Sequence, residues 1–384
     1  MNKEYGAWIE VDLSALEHNY KVIADYVGKV QIMPVVKANG YGLGAVALAH
    51  LYQSLGAQIL AVTRVEEAIE LREAGIRAHL LLLMPFTKEQ AQDVLRYELT
   101  PTISCIEQLT MLLEAGVSQK KPVALHLKLE TGLGRTGFNE EQLPAALNLI
   151  EDSEELQIQG VFSHLAAAHQ QAYTKKQIQR FTYYLEMIKA RGIKIPLVHL
   201  ANSTAILDLP ETYYDLVRPG TILYGQHPTC HNKLDLQDPF VVKAKVLSIS
   251  VPPKGSSIGY GLDQVSDGNK RIAVLGLGWA DGLSLVPERI RLHFSQVLRQ
   301  GLKLLGKTRK SHLQVSIGEK TFPFVGRIAM QTAMVEVDES VGLGDIARIP
   351  MRRLSANARL PRLYFYQGKQ ITLDKIEERI NRNE

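Results

Sequence analysis

Cysteine is nearly missing from this sequence. Of 384 residues only Cys105 and Cys230 carry a thiol, far apart and without metal-ligand spacing. That argues against a disulfide scaffold or a zinc site and fits a reducing compartment. An excess of one charge is also missing: 44 basic residues against 40 acidic ones leave +4, too little to argue for nucleic acid. The one basic run, GLKLLGKTRKSHL at 301–313, lacks interleaved aromatics and reads as a solvated loop or hairpin. No apolar stretch reaches the roughly 18 residues of a membrane span, and the first twenty residues hold no apolar signal core. The expectation is a cytoplasmic protein without a membrane partner. Internal repeats and low-complexity segments do not stand out either.

What is present is enough apolar residue for two cores. Hydrophobic residues make up 46% and charged residues 22%, over a chain longer than one ordinary domain. After AWIEVDLSALEHNY, where Ser14 and Glu17 have capping-box spacing, short apolar runs alternate with helical patterns. The runs at 30–36, 58–62, 79–84, 99–104, 123–129, 156–164, 196–200 and 214–218 read as buried strands. Several intervening helical patterns, such as VEEAIELREAG, end in glycine, a common helix stop. Eight strands alternating with helices predict a (β/α)8 barrel, with an open doubly wound sheet as the alternative. No G-x-G-x-x-G follows the first of these strands, which weighs against a dinucleotide-binding version. From about 237 the texture changes to short alternating runs broken by Gly and Pro, the pattern of an antiparallel β domain. The expected division is therefore 1–236 and 237–384.

Barrel enzymes place their chemistry where strands run into the following loops. Those positions carry Lys37 and Tyr41, Arg135, His164, then His199, Asn202 and Ser203, and finally Arg218, Gly220 and Thr221. Singly, each has a structural explanation; jointly they put several cations and small hydroxyl residues on one face. NSTA and PGTI suit a phosphate, because small residues expose backbone N–H groups beside hydroxyls. A desolvated lysine facing a phosphate suggests a Schiff base, since burial lowers the amine pKa and frees it as a nucleophile. Pyridoxal 5′-phosphate supplies both the aldehyde and the phosphate.

VVKANGYGLG, ETGLGRTGF, HLANSTA, VRPGTILYG, the GYG at 259–261, GLGWADG and VGRIAMQ resemble, in order and spacing, the motifs of the alanine racemase family, fold-type III pyridoxal phosphate enzymes. The resemblance covers almost the whole chain. It implies a barrel followed by a β domain, with the extreme N-terminal strand packing in the β domain. It also implies a head-to-tail homodimer whose active site uses both chains, and interconversion of L- and D-alanine that supplies peptidoglycan. By position, Lys37 resembles the Schiff-base lysine and base on one face of the substrate, and Tyr260 of the second chain the base on the other. His164 and Arg218 would form the cationic network that lets a phenol act as a base. Arg218 resembles the residue facing the pyridine nitrogen; a guanidinium holds its proton, so the ring becomes a weaker electron sink and proton return is favoured over transamination. Arg135 would meet the substrate carboxylate, with the backbone of Met330 as a second contact. Tyr41, Ser203, Gly220 and Thr221 match phosphate-binding positions, and Lys128 matches a lysine that can be N-carboxylated.

Four residues depart from the family pattern. Ala329 and Gln331 flank Met330 where many members have Cys or Ser and Asp, and Trp279 replaces a usual tyrosine. Ala358 stands where many relatives place a tyrosine that touches the phosphate and narrows the pocket. A wider pocket discriminates weakly against an added hydroxyl or methylene, so a serine or broad-specificity racemase is the closest alternative. A decarboxylase on the same barrel is disfavoured by Tyr260 beside Lys37, and a single-barrel cofactor carrier by the second domain. A sugar-phosphate barrel enzyme would leave Tyr260 unused.

Overall fold

A computed structural model describes residues 5–116, 122–228, 234–285, 313–376 and 378. Cys230 and, apart from Leu313, the basic run at 301–313 lie outside these residues. The chain divides into two compact units, one made of Leu13–Pro239 with Ile371–Glu384, the other of Met1–Asp12 with Phe240–Gln370.

The first unit is a closed parallel barrel. Its eight strands are β2 (Gln31–Ile32), β3 (Ile59–Val62), β4 (His79–Leu82), β5 (Thr102–Ile103), β6 (Val123–Lys128), β7 (Leu156–Phe162), β8 (Leu197–His199) and β9 (Leu216–Val217). Strand β1 (Ala7–Asp12) belongs to the other unit. Parallel ladders join β2 to β9, β3 to β4, and β5 through β8 in order. Single bridges Val35–Ala61, Leu81–Thr100 and Asn202–Arg218 close the remaining gaps.

Each strand runs shorter than its apolar segment predicts, and proline is one cause. Pro34 has no N–H, so β2 cannot extend its ladder continuously, although its carbonyl still accepts from Ala61 N at 2.9 Å. Pro101 and Pro219 flank the two other short strands, β5 and β9. Alternate residues of the strands fill the interior: Met33, Val35, Ile59, Ala61, Leu81 and Leu216 form one buried cluster. The first helix spans Leu13–Val27, so Ser14 sits inside its first turn rather than at the expected cap.

The second unit is a nine-stranded sheet in the order β11-β14-β13-β12-β15-β10-β1-β16-β17. Its strands after β1 are β10 (Phe240–Ser250), β11 (Arg271–Leu275), β12 (Gln314–Ile317), β13 (Lys320–Val325), β14 (Ala333–Val337), β15 (Ile346–Ile349), β16 (Arg362–Tyr366) and β17 (Lys369–Ile371). Strand β10 also pairs with β11, which folds the sheet back on itself. The ladders among β1, β10, β11, β12, β13, β14 and β15 are antiparallel, and β1 pairs with β16 in parallel. Strand β1 lies between β10 and β16.

Candidate active site

A cleft of about 410 Å3 opens at the C-terminal ends of the barrel strands, lined by residues at or just after the ends of β2, β3, β4, β6, β7, β8 and β9. It gathers Lys37, Tyr41, Lys128, Arg135, His164, Asn202, Ser203, Arg218, Gly220 and Thr221, ten residues singled out from the sequence. Among the described residues, its lining contains two lysines and two arginines but no Asp or Glu. Such a surface is built for an anion.

Lys37 ends the first barrel segment, and the backbone immediately after it is unusual. Ala38, Asn39 and Gly40 have φ/ψ of 53/52, 53/50 and 60/43, and Tyr41 has φ 54, so four successive residues are left-handed. Three of them carry a Cβ, at a cost of roughly 1–2 kcal/mol each. Hydrogen bonds hold the turn: Gly40 N donates to Val36 O at 2.8 Å, Gly44 N to Asn39 O at 2.9 Å, and Ala45 N to Asn39 Oδ1 at 2.9 Å. Backbone strain of this kind is characteristic of functional sites. The Lys37 ammonium lies 6.0 Å from the centre of the Tyr41 ring. Burial, and then the charge of Arg135, lower its pKa, while Glu67 acts in the opposite direction.

Tyr41 leads to the small-residue end of the cleft. Its ring packs against Tyr224 at 4.6 Å, and the Tyr224 hydroxyl donates to Val35 O at 2.7 Å, fixing the pair to the barrel wall. Gly220 N donates to Ser203 Oγ at 2.8 Å. A Cβ on Gly220 would fall 2.5 Å from Tyr41 Oη, so this corner closes only around glycine. Two hydroxyls thus converge beside Thr221, a donor set that fits a phosphate.

The register of three strands builds the opposite wall. Lys128, Phe162 and His199 occupy one row across β6, β7 and β8, and His126 pairs with Gly160 one layer below. Gly160 is needed there, because its Cβ would sit 2.5 Å from the His126 ring. With that space free, His126 Nδ1 reaches His199 Nε2 at 2.8 Å, and His199 Nδ1 meets Arg218 at 2.7 Å. Arginine offers only donors, so His199 Nδ1 must accept. Burial and Arg218 hold both imidazoles neutral, His126 at about 3 and His199 well below its ordinary value. The His199 hydrogen therefore sits on Nε2 and points at His126 Nδ1. Arg218 also donates to Ser163 O at 2.8 Å and Leu200 O at 3.1 Å. Burial lowers it to about 9, which leaves it a cation at neutral pH.

Lys128 is 1% exposed, and its amine donates to Thr136 Oγ1 at 2.5 Å. Burial, Arg135 and Arg218 lower its pKa to about 8, against a smaller opposing effect of Glu130. Arg135 is carried by a loop wrapped round the Glu130 carboxylate, which accepts from Gly132, Gly134 and Arg135 N. His164 is held at about 3 by burial and by Arg218, Arg135, Lys128 and Lys37.

Tyr260 and Met330 belong to the other unit and are 71% and 58% exposed. Tyr260 lies between Gly259 and Gly261, both at positive φ; a Cβ on Gly261 would meet the Arg327 guanidinium at 2.7 Å. Arg327 is in turn paired with Asp263 at 2.5 Å. Trp279 and Ala280 N donate to Ala329 and Met330 O at 3.0 and 2.9 Å, which brings the exposed Trp279 and Met330 segments together. Ala358 is exposed as well.

Sequence reading missed His126, which looks like one more residue of an apolar strand. Its position two before Lys128 was the available signal, since alternation puts both on one face. His199 was noticed as a strand-end residue but given no role.

Residues 11–228 match the family described as alanine racemase, N-terminal domain, and residues 240–355 match alanine racemase, C-terminal domain. The alanine racemase of Carboxydothermus hydrogenoformans is 36% identical over 347 residues, 88% of each chain. That of Methanococcus maripaludis is 34% identical over 351 residues, covering 89% of this chain and 88% of the other. Among solved structures, the alanine racemase of Clostridium difficile superposes with a TM-score of 0.85 at 27% identity, covering 97% of this chain and 98% of that one. The Bacillus anthracis enzyme with bound L-Ala-P gives 0.83 at 26% identity, over 97% and 98%.

Proposed function

The chain belongs to the alanine racemase family, and on that premise we propose that it interconverts L- and D-alanine with pyridoxal 5′-phosphate, supplying D-alanine for peptidoglycan in the cytoplasm. The observation that carries the reading is the cleft itself: four cations, two converging hydroxyls and no acid, with a lysine at its edge. When bound, pyridoxal phosphate supplies the aldehyde that takes the substrate amine and the ring that accepts the electron pair of the α C–H bond.

The residues divide that task. Tyr41, Ser203, Gly220 and Thr221 hold the phosphate, and Arg218 presents its guanidinium to the ring nitrogen. Three acceptors, including His199 Nδ1, fix the Arg218 plane. Because the His199–His126 pair is neutral, it orients the guanidinium without cancelling its charge. Arg135 and the backbone of Met330 of a second copy bind the substrate carboxylate. Lys37 Nζ takes the α-proton on one face of the substrate, and Tyr260 Oη of a second copy returns a proton on the other. Inverting a carbon centre requires two such groups on opposite sides. His164, kept neutral by burial and then by its cationic neighbours, is not the cation expected from the sequence, so the positive charge beside that phenol falls to Arg218, and His164 can only accept from or donate to it. Lys128, lowered to about 8, has an accessible free-amine form and faces two arginines; conversion to a carbamate would replace repulsion of Arg135 with attraction.

Substrate size turns on Ala358, which by resemblance matches a position where many relatives carry a tyrosine that narrows the pocket. The test is chiral analysis of products formed from L-alanine, L-serine and L-lysine by the cofactor-loaded chain. The expected result is rapid D-alanine with slower D-serine. D-serine at a comparable or greater rate would make this a broad or serine-directed racemase, and no D-product would refute the racemase reading.

A further inference from the structure

Glu67 lies outside the lining of the cleft, yet its carboxylate is tied to the backbone that carries Lys37. It lies in the first turn of the helix Val65–Glu73. One oxygen, Oε2, accepts from Thr63 N at 2.9 Å and Arg64 N at 3.1 Å, as a helix-start acid commonly does. The other oxygen does something that a local cap does not require. Oε1 accepts from Ala38 N at 2.6 Å, 29 residues away, at the first residue of the left-handed turn. Glu67 thereby joins two elements, and the residue next to Lys37 is the point of attachment.

The charge balance around the amine points the same way. Lys37 is faced by Arg135, by His164 and by the ring of Tyr41 at 6.0 Å, and the acid that acts on it is Glu67. The cleft lining itself contains no carboxylate.

We propose that Glu67 is a positioning residue for Lys37: one carboxylate oxygen pins the strained turn through Ala38 N, and this bond sets a carboxylate at the residue next to the amine-bearing one. The proposal rests on the reading of Lys37 as the amine that takes the cofactor aldehyde. Condensation needs the neutral amine, which forms the C–N bond and gives up its two hydrogens with the aldehyde oxygen as water. Without the Glu67 charge, burial and Arg135 act on Lys37 unopposed, so the amine becomes neutral at lower pH. Without the Ala38 anchor, the amine is held less firmly in place.

The experiment uses the full chain freed of cofactor and titrated with pyridoxal 5′-phosphate over a pH series. Visible absorbance reports condensation, and borohydride trapping with peptide mapping reports which lysine reacts. In the unsubstituted protein, Lys37 is the trapped residue. In Glu67→Gln, which keeps an oxygen for Ala38 N but loses the charge, the pH midpoint should fall by roughly half a unit to one unit. Glu67→Asp should keep the midpoint near that of the unsubstituted chain while loading several-fold more weakly. Glu66→Gln, which removes an exposed acid on the same turn bonded to Gln90, should change neither. An unchanged midpoint in a natively folded Glu67→Gln protein would overturn the proposal, as would an equal shift in Glu66→Gln. If Glu67→Gln does not fold, Glu67→Asp decides: unaltered loading would overturn it. Trapping at a lysine other than Lys37 would instead overturn the reading on which the proposal rests.

Discussion

At Gly220 the backbone leaves no room for a methyl group, because Tyr41 Oη occupies the place where Cβ would be. Glycine here lets a hydroxyl approach the chain and complete an anion cradle. Gly220→Ala should push Tyr41 away and remove a hydrogen bond to a charged group, typically about 1.5–3 kcal/mol. Cofactor affinity should therefore fall roughly ten- to hundredfold, as measured by equilibrium titration of the cofactor-free chain. Unchanged affinity would place the phosphate elsewhere. Lys37, Arg218 and the small hydroxyl residues were legible in the sequence because each interrupts an apolar run with a group that must be explained. His126 was not. It sits inside such a run, and its meaning comes from His199, two strands away across the barrel interior. Only the register of β6, β7 and β8 brings the two together.

Among the elements, β7 shows how a strand positions chemistry with residues that take no part in it. Gly160 provides the volume that the His126 ring fills, and Phe162 stacks on His199 at 4.7 Å. Gly160→Ala should force the buried ring aside and destabilise the protein by about 1–3 kcal/mol, visible as a lowered Tm. Arg218 should lose alignment at the same time. A Tm equal to that of the unsubstituted protein would mean that β7 does not constrain the imidazole pair. Strand identity was readable because parallel barrel strands are buried on both sides and appear as continuous apolar runs. Strand length was not, since a ladder stops where a proline removes a donor, as at Pro34. The left-handed turn at Ala38 was also hidden. Only one of its four residues is glycine, so composition gave little sign that the chain reverses its usual hand there.

For the molecule as a whole, the two units hold different parts of the chemistry. The barrel carries the amine, the guanidinium groups and the hydroxyls proposed to hold the phosphate; the sheet carries Tyr260, Met330 and Trp279, all solvent-exposed. An exposed tyrosine set between two glycines, on the same unit as an exposed methionine and tryptophan, is the kind of surface expected of a part that acts on another copy. Two-fold symmetry would then give each dimer two sites, each with Lys37 from one chain and Tyr260 from the other. Everything proposed for the two proton-transfer groups depends on that sharing, and co-expression of Lys37→Ala chains with Tyr260→Phe chains probes it. Each variant alone should form little D-alanine. In the mixture, half of the dimers carry both variants and regain one of two intact sites, so about a quarter of the unsubstituted activity should return. D-alanine formation that stays at the level of the separate variants, in a mixture shown to contain mixed dimers, would mean that Lys37 and Tyr260 of different chains do not share a site.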